Sequence, residues 1–324
     1  MPDGESPSAY LRAQRDSLAR ELHGFQTLAE HALANPVFEL PALEYAWDSP
    51  EGRVHQLNAL CVSGRRMLSF TFTSPVALAA ALHADRCDIY TDVDGVYTCD
   101  PRIVAKARKL AKITYEEMLE MASLGAKVLQ TRSVEMAMNH RVRVQVLSSF
   151  ADLPGTLVVD EDEIVEKEVV SGIAYSRDEA KITLTKVADK PGVAAAIFGP
   201  LAEASINVDM IVQNVSEDGR TTDLTFTVTK ADLDRAVKAL EDRRREIGFE
   251  KLIPDPSVVK VSVIGVGMRS HAGVALTMFK TLAEKGINIQ VISTSEIKIS
   301  VLIDEQYLEL ALRALHTAYG LDAA

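Results

Sequence analysis

The chain has 324 residues, 47% of them hydrophobic, 25% charged and 6% aromatic, and its 35 Lys and Arg against 46 Asp and Glu give a formal charge of −11. That length accommodates two or three domains with cores of their own, and 17 Gly and 12 Pro exclude collagen-like or low-complexity chains. The acidic balance, with no basic patch to offset it, argues against nucleic acid and anionic membrane as main partners.

Cys61, Cys87 and Cys99 are an odd set without a C-x-x-C pair, which fits reduced thiols in a cytoplasm better than a disulfide framework. The seven His are scattered, so no metal site is expected. The N-terminus shows no basic and then apolar leader, and no stretch approaches the ~20 apolar residues that span a bilayer. A cytoplasmic location is expected.

In chain order, residues 8–22 predict an amphipathic helix, with Leu11, Leu18 and Leu22 at helical spacing. From Val37 to Thr73 the pattern becomes short strands divided at Asp48–Gly52 and at Ser63–Arg65, the last of them alternating from Met67 to Thr73. Pro75 opens a short Ala-rich helix, Val76 to Leu82. Cys87–Thr91 is a strand, Thr114-Tyr-Glu-Glu117 is a capping box that starts a helix, and Gly125 separates that helix from a second one running to about Asn139. Val142–Leu147 is again a strand, so helix and strand alternate as in an α/β layer.

After an acidic link, Asp160–Glu163, comes an internal repeat. Residues 192–207 and 273–288 match at nine of sixteen positions with an offset of 81. Each copy begins with a strand (Lys181–Val187, Lys260–Ile264) and continues as helix, two strands and helix. The first ends in a fourth strand, Gly248–Ile253, and the second, whose last helix spans Tyr307 to Tyr319, does not. An uncovered sheet edge invites mispairing, so the spare strand Glu168–Tyr175 is expected to complete the second sheet, which places the first copy inside the second.

Three motifs carry chemistry. Asp189-Lys-Pro-Gly-Val193 with Ile206-Asn-Val-Asp209, and Ser270-His-Ala-Gly-Val274 with Ile287-Asn-Ile289, each place a glycine turn at a helix start, where backbone N–H groups bind a carboxylate. Gly265-Val-Gly267 is not a dinucleotide loop, because Ser270 stands where the third glycine is required. Thr91-Asp-Val-Asp-Gly95 through Asp100-Pro-Arg102 gathers hydroxyl, carboxylate and guanidinium near one turn, with Arg102 suited to phosphate and Asp92 to ribose or base donors. The run Glu241–Glu246 reads as a solvated helix face behind a buried stripe of Leu233, Ala236, Val237 and Leu240, and Trp47 reads as core.

The repeat resembles the ACT domain, a small amino-acid-sensing module, and from about Val76 to the C-terminus the chain resembles aspartokinase. The resemblance is carried by Val76–Leu82, residues 91–102, Leu124–Ser133 and Ile292–Leu302. It implies a mixed α/β and α+β architecture: residues 75–152 as the C-terminal part of an amino-acid-kinase domain, and 168–324 as two interleaved ferredoxin-like βαββαβ ACT domains. The first of these spans 180–253; the second combines 168–176 with 258–324. It also implies phosphorylation of L-aspartate to 4-phospho-L-aspartate with ATP and Mg²⁺, feedback-regulated, on the way to lysine, threonine and methionine.

On the family pattern Thr91, Asp92, Tyr97, Arg102 and Lys127 line the nucleotide site. L-lysine or L-threonine binds near Asp189, Gly192, Ala194, Asn207, Asp209, Gln213, Ser216, Thr222 and Thr225, with Asn288, Ser293 and Thr294 from the second copy. A homo-oligomer through the ACT sheets is implied, or assembly with a complete kinase subunit. The 324 residues depart from the family in two places. They contain no Lys-Phe-Gly-Gly-Thr-Ser segment, and Met67–Thr73 replaces Gly-Arg-Gly-Gly-Ser-Asp-Thr, with Leu68 at the Arg position and Phe72 at the Asp position. No catalytic residue is therefore assigned, and a non-catalytic amino-acid-binding subunit is the alternative reading. Residues 1–74, a small α+β segment, resemble a DcrB-like domain in Gly24-Phe25, Tyr45–Trp47, Gly52–Gln56 and Leu68–Thr73, which makes a fused binding or chaperone module a further alternative.

Overall fold

The computed structural model describes residues 15–16, 20, 26–34, 39–49, 52–63, 66–69, 86–164, 169–215 and 219–322. Most of the expected 8–22 helix, all of the 76–82 helix, Phe72, Ser216 and the side chain of Trp47 fall outside the description. The chain divides into two compact units: 1–97 with 109–123 and 127–167, and 98–108 with 124–126 and 168–324.

In the first unit, β1 (Gln26–Ala34), β2 (Glu39–Ser49), β3 (Gly52–Ser63) and β4 (Arg66–Ser69) form an antiparallel meander. Sequence pattern alone had not marked β1. The sheet does not stop at the meander: β4 runs parallel to β5 (Arg86–Thr91), which is parallel to β7 (Arg143–Ser148). β8 (Thr156–Val159) and the short β6 (Lys112–Thr114) complete eight strands in the order β1-β2-β3-β4-β5-β7-β8-β6. The N-terminal meander and the α/β segment thus share one continuous sheet. Two helices, α1 (Tyr115–Ser123) and α2 (Thr131–His140), bury Met118 and Met121, and Val134 and Ala137, respectively.

The start of α1 follows from four residues. Thr114 Oγ1 accepts from the Glu117 N–H at 3.1 Å, and Glu117 Oε2 accepts from the Thr114 N–H at 3.2 Å. Both orphan donors of the first turn are satisfied reciprocally, in a place where Glu117 is 2% exposed. Thr114→Ala is expected to cost about 1–2 kcal/mol, read as a lower urea midpoint at unchanged slope.

The second unit carries one antiparallel six-stranded sheet, ordered β10-β11-β9-β12-β14-β13. Its two central strands are long: β9 is Gly172–Ala188 and β12 is Lys251–Ile264. The strands expected separately at 168–175 and 181–187 are therefore parts of one, as are 248–253 and 260–264. The pairing explains the fusion. Gly172–Ser176 lies against Ile264–Lys260, while Lys181–Thr185 lies against Asp255–Lys251, with register shifts around Val258 that let one strand serve both ends.

On one end, β10 (Asp209–Val215) and β11 (Thr221–Val228) join α3 (Val193–Glu203), α4 (Leu233–Asp242) and the one-turn α5 (Arg244–Ile247). At the other, β13 (Val291–Thr294) and β14 (Lys298–Asp304) join α6 (Val274–Glu284) and α7 (Leu308–Ala318). The buried faces repeat with the sequence: Val193, Ile197 and Leu201 in α3 become Val274, Met278 and Leu282 in α6, each pair 81 apart. In α4 the predicted stripe holds, with Ala236 and Leu240 buried. A small cluster of Met210, Val258, Val291 and Leu302 joins the sheet's two outer strands to its centre.

Candidate functional site

In the first unit, β5 ends at Thr91, whose hydroxyl donates to Asp92 Oδ1 at 3.1 Å. Tyr97 OH donates to Asp94 Oδ1 at 2.9 Å, and Lys109 Nζ pairs with Asp94 Oδ2 at 3.1 Å. Partial burial works against ionising Asp94, but Lys109 and Tyr97 outweigh it and hold its carboxyl below the usual range. Thr91, Asp92 and Tyr97 are thus gathered around one turn at the carboxyl end of a parallel strand, where open α/β sheets bind ligands. Lys127 is exposed in the same unit. Arg102 is not: it belongs to the second unit, where Asp100 holds it through bonds of 3.0 and 2.8 Å and lowers its own carboxyl pKa in doing so. Asp94 and Lys109 escaped sequence reasoning because Lys109 sits in a run of basic residues that looks merely solvated.

In the second unit, the two glycine turns are near copies. Gly192 has φ 93° and ψ −7°, Gly273 has φ 96° and ψ −8°, and each caps the start of an eleven-residue helix. A Cβ at either would meet nothing within 4 Å, so glycine is required by the left-handed backbone and not by space. The Gly192 carbonyl accepts from Ala196 and that of Gly273 from Thr277, both at 3.0 Å. Asp189, Ala194 and Asn207 are exposed around the first turn, and Asn288 around the second. Gln213 is exposed on the outer strand β10, and Ser293 and Thr294 lie on the outer strand β13. Thr222 is buried and donates to the Asn214 carbonyl at 2.9 Å, and Thr225 shares a 3.0 Å hydrogen bond with Thr183, so both hydroxyls are engaged within the sheet.

Asp209 is tied to a pair that sequence reasoning missed. Lys260 Nζ lies 2.6 Å from Glu179 Oε1 and 2.8 Å from Asp209 Oδ2. Lys260 is 5% and Glu179 6% exposed. Burial alone would lower the Lys260 pKa; Glu179 and Asp209 together overcome it and raise the ammonium above its ordinary value. Partial burial likewise opposes the Asp209 charge, and Lys260 keeps that carboxyl below the usual range. Across the same sheet Lys181 Nζ hydrogen-bonds Gln290. The signal was one lysine inside the apolar run Val258–Ile264, where a charge needs a partner.

Among the described residues no group of three His, Cys, Asp or Glu is arranged to hold a metal ion. The residues around Thr91 and Tyr97 offer hydroxyl and ammonium donors that fit phosphate oxygens. Mg²⁺ characteristically arrives on such phosphates with few protein carboxylates, so the donor set fits a nucleotide that brings its own metal.

Comparison with known proteins follows the same divisions. The amino acid kinase family matches residues 73–148, the ACT domain matches 181–245 and again 261–319, and DcrB matches 1–88. An aspartate kinase from Pseudomonas putida is 61% identical over 252 residues, covering 78% of this chain and 61% of the relative. An aspartokinase from Mycobacterium tuberculosis is 52% identical over 253 residues, covering 77% and 60%. The crystal structure of E. coli aspartokinase III in complex with aspartate and ADP aligns with a TM-score of 0.66 at 26% identity, over 84% of this chain and 59% of that one. The chain therefore spans about three-fifths of the length of these curated relatives. Its fold is a mixed α/β one, a partial amino-acid-kinase domain followed by two ACT domains. Among the described residues no helix is long and apolar enough to cross a membrane.

Proposed function

We propose that this aspartokinase-like chain is first of all an amino-acid sensor, binding L-lysine or L-threonine at its paired helix starts. Its first unit would keep the nucleotide-facing part of an enzyme that phosphorylates L-aspartate with ATP and Mg²⁺. The observation that carries the reading is the repeated turn: two glycines 81 residues apart with φ of 93° and 96°, each opening a helix toward solvent. The first-turn N–H groups of such a helix suit a carboxylate, and Asp189 and Asn207 are exposed beside the first turn for an ammonium and a polar side chain. The related crystal structure of E. coli aspartokinase III with lysine and aspartate supports lysine as one effector class.

The sensing region is proposed to consist of a first domain at 180–253 inserted in a second made of 168–176 and 258–324. Pairing between copies of the chain through these sheets is proposed as well; Ile211 on β10 and Ile292 on β13 are 52% and 43% exposed, and both lie on outer strands. The proposed location is the cytoplasm, where the substrates of this biosynthetic step reside. Titration calorimetry of the full chain with L-lysine and with L-threonine tests the sensor. Saturable heat with at least one is expected, and no heat with either overturns the reading.

A second reading, a regulatory subunit without catalysis of its own, is favoured by one observation. β4 occupies the place beside β5, and it sets Leu68 against Asp88 where the family carries arginine.

A further inference from the structure

We propose that Met210 is the positioning residue of the ligand segment in the first copy, Asn207–Asp209, and that it takes its hold on the second copy, so the two proposed ligand turns fill interdependently. The interdependence rests on the sensing reading given above; the holding of the segment does not.

The two copies part directly after their matched Ile-Asn segments. In the second, β13 pairs with β14 residue for residue, from Val291 with Leu302 to Thr294 with Ile299. In the first, Asp209 pairs with Thr227 and Val212 with Thr225, so Met210 and Ile211 together stand opposite the single residue Phe226. That is a β-bulge, an extra residue that bends one strand. Met210 takes it up with a φ of 47°, in the left-handed region that a residue with a side chain enters at a cost. Among the described residues four non-glycines have a positive φ; Arg141, Lys186 and Ser205 are exposed, whereas Met210 is only 4% exposed. A strained backbone at a buried position persists only where its surroundings hold it.

Those surroundings belong to the second copy. Met210 lies in one buried cluster with Val258, Val291 and Leu302, and Val212 packs against that cluster. The Met210 N–H donates to Asp209 Oδ1 at 2.7 Å, and Asp209 Oδ2 accepts from Lys260 Nζ at 2.8 Å. Val258 and Lys260 are on β12, Val291 opens β13 and Leu302 is on β14, in the half of the sheet that carries the second glycine turn. The segment that follows α3 is therefore fastened at its far end to the other half.

The contact joins equivalent positions. Met210 and Val291 are 81 residues apart, as Gly192 and Gly273 are, and each follows an exposed Asn, Asn207 or Asn288, by three positions. Val291 leads into Ser293 and Thr294 on the same strand. A ligand that moves Asn207 or Asp209 thus moves Met210 against Val291, and one that moves Asn288 acts back along the same path. Linkage makes the effect on affinity reciprocal. Methionine suits the place, because its unbranched, polarizable side chain fills an irregular gap between elements that shift.

Hydrogen exchange on the full chain tests the hold with Met210→Ala, which withdraws the side chain from the cluster, and Met210→Leu, which restores most of its volume. Met210→Ala is expected to speed exchange of the 207–212 and 290–294 amides at least about tenfold. Met210→Leu is expected to stay within about threefold of wild type at both. Acceleration confined to 207–212 overturns the link between the copies. Equal acceleration of the 261–263 amides in β12 overturns a local hold, since general unfolding would then account for the change. Asp209→Asn, at a side chain 62% exposed, reads the same two segments if Met210→Ala does not fold. Both segments are expected to exchange faster, and no change at 290–294 overturns the link. Calorimetry with L-lysine and with L-threonine tests the interdependence. Asn288→Ala in the otherwise unaltered chain is expected to change the affinity of the remaining stage at least about fivefold, but within about twofold when Met210→Ala is also present. An effect of the same size in both backgrounds, or none in the first, overturns the interdependence. No heat from wild type with either amino acid overturns the sensing reading, while the exchange data still decide the hold.

Discussion

The purified chain, given L-aspartate and MgATP, is expected to release ADP no faster than a blank. Phosphoryl transfer depends almost wholly on positioning and on charges preorganised around the moving group. The family places a lysine, an arginine and an aspartate there; the 324 residues hold none of the three in their motifs, and Leu68 and Phe72 stand at two of the positions. Removing a single preorganised donor costs roughly 10²–10³ in rate. Such losses are not additive, yet together they exceed a factor of about 10⁴. Against an ordinary kinase turnover of about 1–100 s⁻¹, a coupled ADP-release assay distinguishes the cases easily. Turnover near 1 s⁻¹ by the chain alone would contradict the loss and restore the enzyme reading.

The second large effect concerns stability. Lys260→Met removes the ammonium paired with Glu179 and leaves a carboxylate whose side chain is 8% exposed. Breaking a buried pair in this way costs about 3–5 kcal/mol, and a unit of this size should melt roughly 10 °C lower. Asp209 contributes little to that penalty, because its side chain is 62% exposed and water can take over. Adding Glu179→Leu to Lys260→Met should recover most of the loss, since a well-packed apolar pair replaces two desolvated charges. A thermal melt of the two variants reads both numbers. A single variant within about 1 kcal/mol of wild type would mean that water reaches Glu179.

What was legible in the sequence was local or periodic. Thr114 and Glu117 are three residues apart and declare a helix start without outside help. The repeat was visible because the same buried positions recur at one offset, from Val193 and Val274 to Leu201 and Leu282. The two glycine turns were legible for the same reason. The continuous β9 and β12 were not, because a strand break is decided by pairing with distant partners, and Asp178 and Asp255 look like turn residues until the sheet is seen. Nor was the grouping of Arg102 with the second unit, which rests on Thr98 meeting His316 across 218 positions. β6 and β8 carry three and four residues, too few for a period to register.

The reciprocal lysines have a consequence for any ligand of the sensing sheet. Lys260 on β12 and Lys181 on β9 each reach a residue that follows the other copy's Ile-Asn segment: Asp209 in one case, Gln290 in the other. The backbones of the two turns agree within a few degrees, yet Lys260 reaches the Asp209 carboxylate, whereas Lys181 reaches the neutral Gln290 amide and pairs instead with Asp255 at 3.4 Å. Under the proposed sensing function the two turns are therefore not degenerate seats. On that reading the two seats fill unequally, and saturation in two unequal stages is the expected outcome.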